Sequence, residues 1–175
     1  MALFNGANAA GQLGLWRTDG KTGAGTVELI PPVSAGAAAT GLDPTDMTVF
    51  NGEVLFNGTD AQGLSGLWAT DGTAGGTHEV VAEAAGASSG LDPTAMIVLG
   101  NEVLFSGLDA AGHSGLWVTD GTADGTRELL AEAPGTIAGK DAQGLSPSDF
   151  TVFDGEVFFS ASTSSVAGNC GRPTE

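Results

Sequence analysis

The chain has 175 residues, 29 of them glycine and 41% hydrophobic, which is enough apolar material for one packed domain and too much for a disordered chain. Five Lys and Arg against 21 Asp and Glu leave a net charge of -16, and this excludes nucleic acid as a partner, because binders of a phosphate backbone neutralise it with basic side chains. A single cysteine and two isolated histidines exclude an internal disulfide and a Cys/His zinc site.

The N-terminus, Met1-Ala2-Leu3-Phe4-Asn5-Gly6, has no basic region followed by an apolar run, and no later stretch approaches the ~18 apolar residues of a membrane span. Neither a signal peptide nor membrane insertion is expected of this chain. Leu3 to Gly6, Gly14 to Thr18 and Thr26 to Ile30 read as three short strands separated by glycine-rich turns. Pro31-Pro32 and a small-residue tract from Ser34 to Gly41 form a connection, since proline removes backbone donors and Gly/Ala runs offer little to pack.

A complete unit opens at Leu42-Asp43-Pro44-Thr45. Met47 to Phe50 and Glu53 to Phe56 flank Asn51-Gly52, a hairpin signal because a type I′ turn needs positive φ at both central residues. Gly58 to Gly63 is a loop, Gly66 to Thr70 a third strand, Asp71 to Gly76 a turn and Thr77 to Ala82 a fourth strand. Residues 91 to 131 repeat this pattern, from Leu91-Asp92-Pro93-Thr94 through Gly100-Asn101 to Thr126–Ala131. A last unit begins at Leu145-Ser146-Pro147-Ser148, turns at Asp154-Gly155 and ends near Ser160; the polar remainder, 161 to 175, is expected to be a disordered tail.

With the four strands of a unit called A to D, the order is B-C-D, A-B-C-D twice, then A-B. The repeat domain therefore spans 1–160, in units of about 3–41, 42–90, 91–144 and a partial 145–160. Trp16, Trp68 and Trp117 are 52 and 49 residues apart, and four antiparallel strands at that period are the arithmetic of a β-propeller blade. The fold expected is all-β: tandem four-stranded antiparallel blades, propeller-like, with a β-solenoid and an open array of small sheets as the structural rivals. Three and a quarter blades do not close a ring, so the expected partners are a second copy or further blades of a longer chain, covering otherwise exposed edges.

The most strongly repeated stretches are Leu15-Trp16-Arg17-Thr18-Asp19-Gly20, Leu67-Trp68-Ala69-Thr70-Asp71-Gly72-Thr73 and Leu116-Trp117-Val118-Thr119-Asp120-Gly121-Thr122, followed by Gly25-Thr26, Gly76-Thr77 and Gly125-Thr126. They resemble the bacterial repeat family named for its Glu-Leu-Trp-x-x-Asp-Gly-Thr motif, over about residues 3 to 160. The family's leading Glu is here Gly14, Gly66 and Gly115. The resemblance implies propeller-like blades, an extracellular or cell-surface setting and no particular reaction.

Three aspartates beside three tryptophans suggest a ligand site, but Asp19, Asp71 and Asp120 are also well placed to accept amide hydrogen bonds within their own turns. Trp16, Trp68 and Trp117 are expected to pack between blades, with sugar stacking as the alternative. Phe50, Phe56, Phe105, Phe153 and Phe159 are expected in the core. At the other ends of the strands, Asp60 and Asp109 fall in B-C loops while Asp43 and Asp92 end D-A links. Four carboxylates sharing one face suit calcium, which takes six to eight oxygen ligands, although Asn8 and Ser146 replace two members of the set. No Ser/His/Asp arrangement, recurring histidine or phosphate-cradling loop is present. A non-catalytic binding or scaffolding module is expected, with a lectin-like or a calcium-binding surface domain as alternatives and a glycan or protein as ligand.

Overall fold

The structure is a computed structural model that describes residues 1–21, 25–32, 41–81, 90–130 and 144–162. These residues form 13 strands and no helix, arranged in four antiparallel sheets. The first sheet holds β1 (Ala2–Ala7), β2 (Leu13–Thr18) and β3 (Thr26–Glu28). The second holds β4 (Thr45–Phe50), β5 (Glu53–Thr59), β6 (Ser65–Thr70) and β7 (His78–Val81). The third repeats it with β8 (Thr94–Leu99), β9 (Glu102–Leu108), β10 (Ser114–Thr119) and β11 (Arg127–Leu130). The fourth is a hairpin of β12 (Pro147–Phe153) and β13 (Glu156–Ala161). In each sheet the strands lie side by side in chain order, as tight turns between antiparallel neighbours require.

The hairpins take the geometry their residues favour. Asn51 and Gly52 have φ of 49° and 87°, and Asp154 and Gly155 of 52° and 77°, both patterns of a type I′ turn. The first strands of the second, third and fourth sheets start earlier than expected, β4 and β8 by two residues and β12 by three, and each carries a bulge, between Thr45 and Thr48, Thr94 and Ile97, and Ser148 and Thr151. Asp46, Ala95 and Asp149 occupy these bulges with φ of 51°, 55° and 54°, and the Asp46 carboxylate accepts the Ala95 amide of the next sheet at 3.2 Å.

Side chains alternate across each sheet, and three apolar clusters join neighbouring sheets in sequence order. Leu3 and Leu15 of the first sheet meet Met47, Phe56 and Trp68 of the second, around Leu29 and Leu42. The opposite face of the second, with Phe50, Leu55, Leu67 and Ala69, meets Met96, Val103, Phe105 and Trp117 of the third, around Leu91. The third sheet's other face, with Ile97, Leu99, Leu104, Leu116 and Val118, meets Phe150, Val157 and Phe159 of the fourth, around Leu145. The first three sheets thus carry a Phe–Trp pair on the upstream face, and the fourth carries Phe150 and Phe159 there; the downstream faces are mainly aliphatic, with Phe50 in the second sheet and Phe153 and Phe158 in the fourth. The described residues close no barrel and no ring of sheets.

Phe50, Phe56 and Phe105 are buried as expected and Phe159 is partly buried, but Phe153 is 70% exposed. It stands where Phe50 and Leu99 stand, on a downstream face, and no described sheet follows it. Residues 163–175, most of the expected tail, lie outside the described residues; Ala161 ends β13, and the Ser162 amide donates to the Leu145 carbonyl.

The connection between sheets is more specific than its composition suggests. Gly41, Gly90 and Gly144 precede the Leu-Asp/Ser-Pro segments at φ of 107°, 76° and 82°, and a Cβ at any of them would collide with the carbonyl oxygen of Leu13, Ser65 or Ser114 in the preceding sheet. The next amides then donate to those same carbonyls, Asp43 to Leu13, Asp92 to Ser65 and Leu145 to Ser114. The link leucine returns a carbonyl to its own sheet, accepting from Thr59, Leu108 or Ser162. Only glycine combines positive φ with this close backbone approach, so each link is stapled to the sheet before it and the sheet it begins.

Candidate functional site

The same Phe–Trp pair recurs in three sheets. Phe4 and Trp16, Phe56 and Trp68, and Phe105 and Trp117 are cross-strand partners, with ring centroids 6.4 Å apart in each pair. Trp68 and Trp117 are buried between sheets, whereas Trp16 is only half-buried. Three equivalent stacking platforms for a sugar are therefore not presented. Trp16 Nε1 donates to the Gly6 carbonyl at 2.9 Å; Trp68 Nε1 and Trp117 Nε1 are buried with no hydrogen-bond partner among the described residues.

The aspartates that follow close the turn between the third and fourth strands. Asp71 Oδ1 accepts from the Thr73 amide at 2.8 Å and from its hydroxyl at 2.7 Å, and Thr73 Oγ1 in turn accepts from the Gly76 amide at 3.0 Å. Thr77 donates to the Thr73 carbonyl, and the Thr70 and Thr77 hydroxyls share a bond of 2.7 Å. Asp120, Thr122, Gly125, Thr126 and Thr119 reproduce every one of these contacts. A Cβ on Gly76 or Gly125 would overlap the aspartate carboxylate, which explains the glycine before each second threonine. The Thr73 hydroxyl and then its amide hold Asp71 below the ordinary Asp pKa, and Thr122 does the same for Asp120. In the first sheet Asp19 accepts from the Lys21 amide, without a hydroxyl at that position.

The four carboxylates at the other ends of the strands are also engaged locally. Asp60 Oδ1 accepts from the Gln62 and Leu64 amides, both at 2.8 Å, and Asp109 Oδ1 from Ala111 and His113 at the same distance. Asn8 Oδ1 makes the equivalent bonds to Ala10 and Gln12, so the loop needs a side-chain oxygen and not a charge. Asp43 accepts from Asn5 Nδ2 at 3.0 Å and Asp92 from Asn57 Nδ2 at 2.9 Å, each tying a link to the preceding sheet. Where Ser146 replaces this aspartate, Ser106 replaces the asparagine. The link and loop aspartates do share one end of the sheets, since the Thr59 and Leu108 amides beside Asp60 and Asp109 bond the Leu42 and Leu91 carbonyls beside Asp43 and Asp92.

A third acidic set was not singled out from sequence. Glu28, Glu79 and Glu128 pair with the three tryptophans across the fourth strand, and their signal was available: each stands two residues after the Gly-Thr threonine. Burial, and then the neighbouring Asp109 carboxylate, push Glu128 above the ordinary Glu pKa against a smaller pull from His113. At Asp109, burial opposes ionisation, but the His113 and Ala111 amides and the His113 ring, 3.3 Å away, together bring its pKa below the ordinary value. Among the described residues no three His, Cys, Asp or Glu side chains converge in a way that could hold a metal ion.

The geometry thus gives the repeated polar residues hydrogen-bonding work inside the fold. Neither a family model, nor a curated protein, nor a solved structure matches the chain. The site's chemistry rests on its own residues.

Proposed function

We propose that the sheets are blades of a propeller-like repeat module that acts as a non-catalytic scaffold or binding unit in a surface or secreted protein. The observation that carries this reading is the occupation of the recurring motif: Trp68 and Trp117 are used in packing, while Asp71 and Asp120 are used in turn closure. A residue committed to holding a repeat together recurs with the repeat, which is the behaviour of a structural clasp. The period of 49 to 52 residues and the unbroken order of four strands per complete unit support the blade assignment.

Labelling intact producing cells with a membrane-impermeant amine reagent, together with assay of the culture fluid, tests the setting. Labelled or released protein is expected; a pool confined inside the cell would overturn it. A panel of glycosides, esters and peptides tests the non-catalytic part, and turnover abolished by Asp109→Asn or Glu128→Gln with the fold intact would sink it.

A carbohydrate-binding reading is favoured by one observation, the exposure of Phe4 and Trp16 as an aromatic pair on an open face. Saturable glycan binding lost in Trp16→Ala would establish it. The calcium reading has no converging carboxylates behind it among the described residues; a melting temperature raised by calcium but not by magnesium at equal ionic strength would be needed to establish it at the end shared by Asp43, Asp60, Asp92 and Asp109.

A further inference from the structure

The two end faces of the stack are unlike each other. The second and third sheets meet with Phe50, Leu55, Leu67 and Ala69 on one side and Phe105 and Trp117 on the other. The fourth sheet carries Phe153 in the place of Phe50 and Phe158 in the place of Leu55, so its open face repeats part of the first half of that interface. The first sheet carries Phe4 and Trp16 in the places of Phe105 and Trp117, so its open face repeats the second half. Exposure follows from position: Phe50 is 4% and Leu55 0% exposed, against 70% for Phe153 and 53% for Phe158. Phe4 is 38% exposed where Phe105 is sealed.

We propose that these faces are the two halves of one interface, and that the chain associates head to tail with a second copy, the fourth sheet of one molecule lying on the first sheet of the next. The inference rests on the reading of the chain as a repeat module. The occupant follows from the fold's own pattern: inside the molecule, the Phe/Trp upstream faces of the second and third sheets are each covered by the downstream face of a sheet of this same type. Phe153 and Phe158 already lie together, with centroids 6.3 Å apart, and form the apolar centre that such a contact needs. Because the contacting faces differ, the association is heterologous; it closes into a ring or continues as a filament according to the rotation between copies. Each copy carries a net charge of -16, so repulsion opposes the contact at low ionic strength and salt strengthens it.

Sedimentation velocity over a concentration series, at low and at physiological salt, tests the proposal. Wild-type protein should grow in mass with concentration, more strongly in salt. Trp16→Glu and Phe158→Glu should each remain monomeric while keeping the wild-type circular dichroism, with Phe4→Glu replacing the first should it fail to fold. The decisive measurement is their mixture. One intact upstream face and one intact downstream face remain, so the mixture should form a heterodimer and grow no further. A mixture that stays monomeric, or single variants that assemble like wild type, would overturn the proposal, as would a wild type monomeric at every concentration and salt. A monomer whose Trp16 face binds a glycan would assign that face to sugar instead. None of these results alters where the protein is found in the cell culture, so failure of the interface and failure of the surface setting remain distinguishable.

Discussion

Trp68 and Trp16 hold the same place in successive repeats, each opposite a phenylalanine on one neighbouring strand and a glutamate on the other. Trp68 is sealed by Leu3, Leu15 and Leu42, whereas Trp16 faces outward and is half-buried. The local sequence builds the same aromatic pair in both; the neighbouring sheet decides whether that pair is core or surface. A motif can therefore be structural in the middle of an array and available for contact at its end.

The largest test of this difference is truncation. Trp68→Ala should cost about 3–5 kcal/mol, and Trp16→Ala about 1 kcal/mol, as expected for a residue that keeps much of its solvent contact. Urea unfolding measures both, and equal losses would break the comparison. The staples give the next contrast. Gly90→Ala places a Cβ against the Ser65 backbone at positive φ and should cost about 2 kcal/mol or more. Gly75→Ala, where a Cβ meets nothing within 4 Å, should stay within about 0.5 kcal/mol of wild type.

Acid titration separates the buried face from the exposed turns by sign. Glu128 has a raised pKa, so the stability it adds is present in its protonated form and is lost as pH rises through the folded-state pKa. Asp71 and Asp120 have lowered pKa values, so their contribution is present above the ordinary Asp range and lost as pH falls through their folded-state values. Stability should rise slightly on acidification from neutral pH toward the Glu range, then fall below about pH 4. Glu128→Gln should remove the rise and leave the fall, read from urea midpoints across pH. The smallest effect is at the bulge in the first strand of the third sheet. Ala95→Gly relieves a left-handed alanine and should add about 0.5 kcal/mol, with part of the gain offset by glycine's freedom in the unfolded chain.

Strand order and number were legible because the turns are local: Asn51-Gly52, Asp154-Gly155 and the Asp-Gly-Thr segments state their geometry within a few residues. The structural use of Asp71 and Asp120 was legible for the same reason. The bulges were not, because Ala95 gives no sign of positive φ. The staples were hidden as well, since Gly41, Gly90 and Gly144 look like ordinary loop glycines until the Leu13, Ser65 and Ser114 carbonyls lie against them. Phe153 shows a further limit: its strand pattern matches that of Phe50, and only the absence of a described sheet over it makes it surface. The candidate carboxylates share one end of the sheets, as strand order alone implies, but their amide and asparagine partners depend on loop geometry and on the preceding repeat.

The staples also run in one direction along the chain. Gly90 bridges back to Ser65, Gly144 back to Ser114, and the Asp43 amide back to Leu13, so each anchor joins a newly made segment to one made earlier. Each of the second, third and fourth sheets is thus bonded through its link to a sheet made before it, an arrangement compatible with growth from the N-terminus. Because Leu3 and Leu15 cover Trp68, chains ended at residue 130 should keep it shielded from a fluorescence quencher, whereas chains begun at residue 41 should leave it exposed. The array is directional in its bonding: each link donates back to the sheet before it and accepts from the sheet it begins.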